Sequence, residues 1–158
     1  ETMYYFQNAR ALATIAKELN SQVNDTVIAV LFRDADGSAS AERGNWQDKY
    51  DSMNHGFTVE QYEFGVAMIP NTKSEAWLLC AVKNDYQHCD NLEGIKGNDN
   101  SPNSLKAQLA TALNGKTSAI ELTELVKDKA VDVERIDMNS FNQFRQDLQH
   151  AVKLALKH

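Results

Sequence analysis

Two aspartates, Asp34 and Asp36, stand one residue apart in the segment VIAVLFRDADGSAS, and Gly37 follows them directly. Carboxylates are hard oxygen ligands of the kind that Mg2+ prefers, and two of them around a tight turn can face one ion. Gly37 lets the chain turn away without a steric conflict from a Cβ atom. The alternative is that both side chains only solvate a strand end and form hydrogen bonds within a turn. Their position in the fold decides between a metal pair and a polar turn.

The elements around the two aspartates predict an α/β fold. Residues 26–32 are rich in β-branched residues and show no alternation, which is typical of a parallel strand covered on both faces. Residues 2–20 have apolar positions at helical spacing, residues 63–69 predict a second strand, and residues 74–83 predict a helix. Ligands of such sheets bind beyond the carboxyl ends of the strands. The two aspartates are therefore expected at a binding edge.

The remaining segments predict helices separated by polar loops. A loop and a short helix that ends at Gly56 are expected between the two strands, and residues 84–103 are expected to form a long surface loop. Ser118 and Glu121 predict a capping box, and a final amphipathic helix follows. Residues 131–136 fit either a short strand or an extended link. The C-terminal part is thus expected to be helical.

Alternating strands and helices predict one three-layer α/β domain over residues 1–158, with a small, mainly parallel sheet. The length also favours a single domain. Two or three strands make a thin sheet. A strand upstream of Glu1 would thicken it, because the first helix would then be the crossover of a right-handed βαβ unit.

Cysteine usage and charge predict location and partners. Cys80 and Cys89 are too few for a disulfide framework, so we expect a reducing, cytoplasmic compartment. His88, Cys89 and Asp90 have no second cluster at zinc spacing, which favours a polar loop there. No apolar stretch approaches the ~20 residues that span a bilayer, so no membrane partner is expected. The net charge of −6 argues against nonspecific coating of nucleic acid.

Three further residues are candidates for the same site. Glu75 follows the second predicted strand and would reach the binding edge if the two strands were neighbours, although a carboxylate in a first helical turn also complements the helix dipole. Lys73 and Lys96 are weaker candidates for binding a phosphate oxygen, and solvated surface is the alternative for both. The segment around Lys96, GIKGNDN, lacks the GxxxxGK[ST] order of a P-loop.

Together, the Asp-Ala-Asp segment after a strand and the later SEAWLL segment resemble the Toprim-like domains of RloB-type and OLD-related bacterial proteins. The resemblance covers about residues 26–144 and extends more loosely to VDVERIDMNSFNQF. It implies cleavage of DNA or RNA phosphodiesters with Mg2+ or Mn2+, often in phage defence and with a protein partner. Asp34 and Asp36 would hold the metal, and Glu75 would be a third ligand or the base for the attacking water. The family's other glutamate normally ends an earlier strand, which is expected upstream of Glu1 or is absent.

Alternatives to a Toprim-like nuclease differ in what the aspartates do. An EF-hand loop is excluded, because Phe32 and Arg43 would occupy its first and twelfth positions. A haloacid-dehalogenase-like phosphatase also has two aspartates after a strand, but Arg33 interrupts the apolar run and no later strand ends in paired acidic residues. A noncatalytic, degenerate Toprim-like module that binds partners or nucleic acid in a defence complex is the other alternative, which the acidic balance favours over a free-standing nuclease.

Overall fold

A computed structural model of the chain contains two compact units. The first unit comprises Glu1–Ile69 with Gln143–His158, and the second comprises Pro70–Asn142. The residues that the structure describes are 2–35, 45–82, 89–95 and 99–157.

The first unit contains a parallel pair of strands and two helices that pack against them. The register runs from Ala29 opposite Gly65 to Phe32 opposite Met68. The mixed α/β class and the parallel pairing are therefore confirmed, and the described part of the chain holds these two strands in one sheet. Up to Ile69, the elements of the first unit in chain order are α1 (Met3–Val23), β1 (Ala29–Phe32), α2 (Trp46–Val59) and β2 (Gly65–Met68).

Helices α1 and α2 pack closely because small residues line their contact. A Cβ atom added to Gly56 would lie 2.4 Å from the carbonyl oxygen of Phe6 and 2.7 Å from the Cβ atom of Ala9. Ala13 continues the buried face of α1. The prediction that the helix ends at Gly56 is wrong, since α2 continues to Val59. This glycine is needed for a close helix contact rather than for termination.

Strand β1 is covered on one face only. Ala29 is buried in a cluster with residues of α1 and α2, whereas Val30 is 40% exposed and Phe32 is 51% exposed. Successive side chains of a strand point to opposite faces, so the two exposed residues share the uncovered face. The prediction of a strand covered on both faces is wrong. All four residues of β1 are apolar, so the sequence gives no sign that their burial alternates between the two faces.

The second unit consists of short helices. Residues 131–136 form no strand and instead include a 3-10 turn. None of the helices in the described ranges combines the length and apolar character that crossing a bilayer requires. The helices in chain order are α3 (Ser74–Val82), the 3-10 helix Asp90–Gly94, α4 (Leu105–Ala112), α5 (Ala119–Lys127), the 3-10 helix Val133–Arg135 and α6 (Asn139–Leu156), whose residues from Gln143 onward belong to the first unit.

The predicted capping box at the start of α5 is confirmed. The backbone N–H of Glu121 donates to Ser118 Oγ at 3.3 Å, and the N–H of Ser118 donates to Glu121 Oε2 at 3.1 Å. Each side chain thus satisfies a backbone donor that the first helical turn leaves without a partner.

Cys80 and Cys89 are joined by a disulfide bond, with Cα atoms 5.8 Å apart. Both residues are buried, and the bond links α3 to the residue that precedes the 3-10 helix Asp90–Gly94. The small number of cysteines did not predict this bond. The reducing compartment inferred from that number loses its basis, because structural disulfides persist mainly in oxidising compartments.

Candidate functional site

Asp34 is the second residue after the carboxyl end of β1, and it is half-buried. The backbone N–H of Arg33 donates to the carbonyl oxygen of Met68 at 3.1 Å, so the hydrogen bonds between β1 and β2 continue to the residue before Asp34. The carboxylate is therefore carried by backbone that leaves the sheet one residue earlier. This is the edge of a parallel sheet at which ligands commonly bind.

Two side chains hold the backbone at this strand end. Tyr5 Oη donates to the carbonyl oxygen of Asp34 at 3.0 Å, and Lys49 Nζ donates to the carbonyl oxygen of Ala35 at 2.6 Å. Tyr5 lies in the first turn of α1 and Lys49 in the first turn of α2. Both side chains are buried. Two consecutive carbonyl groups beyond the sheet thus each have a fixed donor.

The same strand end carries positive charge. The guanidinium of Arg33 lies 4.3 Å from the ring centroid of Tyr4 and 5.2 Å from that of Tyr5. Lys49 Nζ lies 5.9 Å from the ring centroid of Tyr5, also within the range of a cation–π interaction. The backbone at Asp34 and Ala35 therefore lies close to two cationic side chains, which favours an anionic substrate there.

Lys49 was not predicted as a site residue, although its spacing from two apolar residues places it on the buried face of the helix. Trp46 and Met53 occupy one apolar face at helical spacing, and Lys49 lies three residues after the former and four before the latter. A lysine on that face is unusual and points to a buried partner. The identity of the partner, the carbonyl of Ala35, depends on tertiary structure and had no local signal.

The second unit contains Glu75 and Lys73. Glu75 lies in the first turn of α3, where the sequence predicted it. Lys73 forms an ion pair with Asp99, and the hydrogen bond from this ammonium lowers the pKa of the Asp99 carboxyl. A phosphate would have to compete with Asp99 for Lys73. Ligation of one metal by Glu75 together with Asp34, which belongs to the first unit, stays a prediction.

Asp36, Gly37 and Lys96 lie outside the described residues. The paired carboxylates and the loop lysine therefore also stay predictions. Within the four described ranges, no three His, Cys, Asp or Glu side chains form a group that could hold a metal ion.

A separate polar network in the second unit caps helix α6. Glu93 Oε1 accepts hydrogen bonds from the backbone N–H and the Oγ of Ser140, at 2.9 and 3.0 Å, and Asp90 Oδ1 accepts one from the N–H of Asn139 at 3.0 Å. Trp77 Nε1 donates to Ser140 Oγ at 2.9 Å. Two carboxylates at a helix N-terminus satisfy backbone donors and complement the helix dipole. Ser140 is 2% exposed, so the network stabilises the fold rather than contacting a substrate.

Glu93 gives this network a pH dependence. Burial raises the pKa of Glu93 above its ordinary value of 4.5, and the charge of Asp90 adds to the effect, against the hydrogen bonds from Ser140. A raised pKa in the folded state means that the contribution of Glu93 to stability is fully present below pH 4.5 and is lost as the pH rises through the raised pKa.

We expect Glu93→Gln to remove this pH dependence, because the amide cannot ionise. The free energy of unfolding of the wild type, relative to that of the variant, should rise as the pH falls from neutrality to about 4.5. Urea unfolding at several pH values measures the difference, and Glu18→Gln controls for loss of one exposed carboxyl. A relative stability that stays constant or falls with acidification would contradict the assignment.

Comparisons with known proteins leave function to be argued from the residues themselves. No protein-family model matches the chain, and no curated protein and no solved structure matches it. The Toprim-like resemblance and the function that it implies are therefore proposals.

Proposed function

We propose that the chain cleaves a nucleic-acid phosphodiester bond in a metal-dependent reaction, with Asp34 and Asp36 as ligands of Mg2+ or Mn2+. The observation that carries the proposal is the position of Asp34, one residue beyond the last hydrogen bond between β1 and β2. A carboxylate at this edge is the donor type that these ions prefer. The bound ion would polarise a phosphoryl oxygen and activate water. A three-layer, Toprim-like arrangement belongs to the same proposal.

Residues around Asp34 would hold the metal ligand in position and would supply positive charge for the substrate. The hydrogen bonds to the carbonyls of Asp34 and Ala35 fix the backbone from which the carboxylate projects. Arg33, the residue before Asp34, is exposed and adds positive charge at the strand end, which favours an anionic substrate. Glu75 is proposed as third ligand or as base for the attacking water, and a variant of its own tests it.

A cleavage assay on the purified chain tests the proposal, with supercoiled DNA and single-stranded RNA as substrates and with Mg2+, Mn2+ or a chelator. Cleavage should require the metal and should fall by about 100-fold or more in Asp34→Ala and in Asp36→Ala. Asp25→Ala is the matched control, since this exposed aspartate precedes β1. Glu75→Gln should also reduce cleavage. Unchanged metal-dependent cleavage in the Asp34 and Asp36 variants would show the mechanism to be wrong.

A noncatalytic module that binds a protein partner is the second candidate function. It is favoured by the apolar face of β1, where Val30 and Phe32 are exposed, and by the net charge of −6. Such a module would bind no divalent metal in calorimetry. Turnover of phosphomonoesters without nuclease activity would instead support the phosphatase alternative, in which Asp34 is the nucleophile.

The disulfide bears on where this function would operate. A bond between Cys80 and Cys89 favours an oxidising compartment over the predicted cytoplasm. The nucleic-acid substrate and the protein partner in a defence system derive from the Toprim-like resemblance. Rapid alkylation of thiols in intact cells would assign the compartment by the redox state of the two cysteines.

A further inference from the structure

Lys49 is a buried lysine whose ammonium contacts the protein backbone. The residue is 5% exposed, and its Nζ atom lies 2.6 Å from the carbonyl oxygen of Ala35. Burying an ammonium is unfavourable unless hydrogen bonds or charges compensate for the lost water. Ala35 is the residue between Asp34 and Asp36. The ammonium therefore holds the backbone at the residue that follows Asp34.

The start of α2, which carries Lys49, is itself fixed. Asn45 Oδ1 accepts from the backbone N–H of Asp48 at 2.9 Å, and Asp48 Oδ2 accepts from the N–H of Asn45 at 3.0 Å, which completes a capping box. Trp46 Nε1 donates to the carbonyl oxygen of Ile69 at 2.7 Å, just beyond the end of β2. The first turn of α2 is thus anchored near the ends of both strands, which gives the ammonium a defined position.

We propose that Lys49 is a positioning residue for the metal site and acts together with Tyr5 through the carbonyls of Ala35 and Asp34. The inference rests on the proposed function for the identity of the ligand. Metal ligands need their backbone held by outer contacts, and loss of such contacts typically weakens metal binding. Lys49 is too buried to touch a substrate, so it acts through the strand end that carries Asp34.

Binding of Mn2+ to the full chain, measured by the electron paramagnetic resonance signal of the free ion, tests this role. Lys49→Met keeps the length of the side chain but loses the donor and the charge, and it should weaken Mn2+ binding by about tenfold or more. Lys49→Arg should recover part of the affinity. Tyr5→Phe loses one hydroxyl donor and should weaken binding several-fold. The matched control, Lys153→Met at an exposed position of α6, should bind as the wild type does.

The outcomes separate this inference from the proposed function. If the wild type binds Mn2+ and Lys49→Met binds it equally well, the positioning role is wrong while the metal site stands. If the wild type binds no Mn2+, the proposed function is overturned and this inference with it. If Lys49→Met does not fold, the test rests on Tyr5→Phe. Unchanged Mn2+ affinity in that variant would overturn the inference that hydrogen bonds to the strand-end carbonyls position the metal ligands.

Discussion

Gly56→Ala is expected to lower the free energy of unfolding by about 2–3 kcal/mol, because the new methyl group overpacks the contact between α1 and α2. The added Cβ atom would lie 2.4 Å from a backbone oxygen, that of Phe6, and 2.7 Å from the Cβ atom of Ala9. Neither atom can rotate away, so α1 must shift as a unit. Alanine is the better helix former by about 1 kcal/mol, so destabilisation would identify the contact as its cause. Urea unfolding measures the effect.

Gly94→Ala is the matched control, since an added Cβ atom there meets nothing within 4 Å. We expect its free energy of unfolding to stay within about 0.5 kcal/mol of the wild type. A Gly56→Ala protein as stable as the wild type would contradict the close approach of the helices. The contact also matters for the proposed site, because a shift of α1 moves Tyr5, which holds the carbonyl of Asp34.

Loss of the bond between Cys80 and Cys89 is expected to lower the free energy of unfolding by about 3 kcal/mol. The reason is that the bond closes a loop between residues nine apart and so reduces the entropy of the unfolded chain. The bond joins α3 to the segment that supplies Asp90 and Glu93, the two carboxylates at the N-terminus of α6. Its loss should therefore loosen the cap as well. Urea unfolding with and without reductant measures the change.

A protein in which both cysteines are replaced by alanine is the control and should not respond to reductant. Alkylation of the wild type after unfolding without reductant should modify neither Cys80 nor Cys89. Modification of both would show that the bond is absent and would restore the predicted reducing compartment.

Local patterns in the sequence were sufficient for elements whose cause is local. The capping box of Ser118 and Glu121 is set by hydrogen bonds within four residues, and the sequence predicted it correctly. The start of α3 at Ser74 was likewise correct, as was the parallel pairing of the two strands. The exposure of Val30 was missed, because burial depends on what packs against a face and not on the residue types along it.

The candidate site was predictable only for the residue that provides the carboxylate. Asp34 lies two residues after an apolar run that ends at Phe32, so its position at a strand end could be inferred from its neighbours. Tyr5 and Lys49 are 29 and 14 residues away from the carbonyls that they hold. The position of Lys49 on the apolar face of α2 indicates a buried partner, but no spacing in the chain identifies the carbonyl that it contacts. The disulfide was also missed, because two cysteines nine residues apart show no sign of pairing without the fold that brings their Cα atoms to 5.8 Å.

The central claim is that the strand end at Asp34 binds a divalent cation. Adding substoichiometric Mn2+ to the isotopically labelled chain and recording its amide spectrum tests this directly, because the paramagnetic ion broadens signals near its site. We predict that the amide signals of Arg33, Asp34 and Ala35 broaden first, and that Asp34→Asn abolishes this selective broadening. Signals at the strand end that do not broaden, or that broaden equally in Asp34→Asn, would contradict the claim.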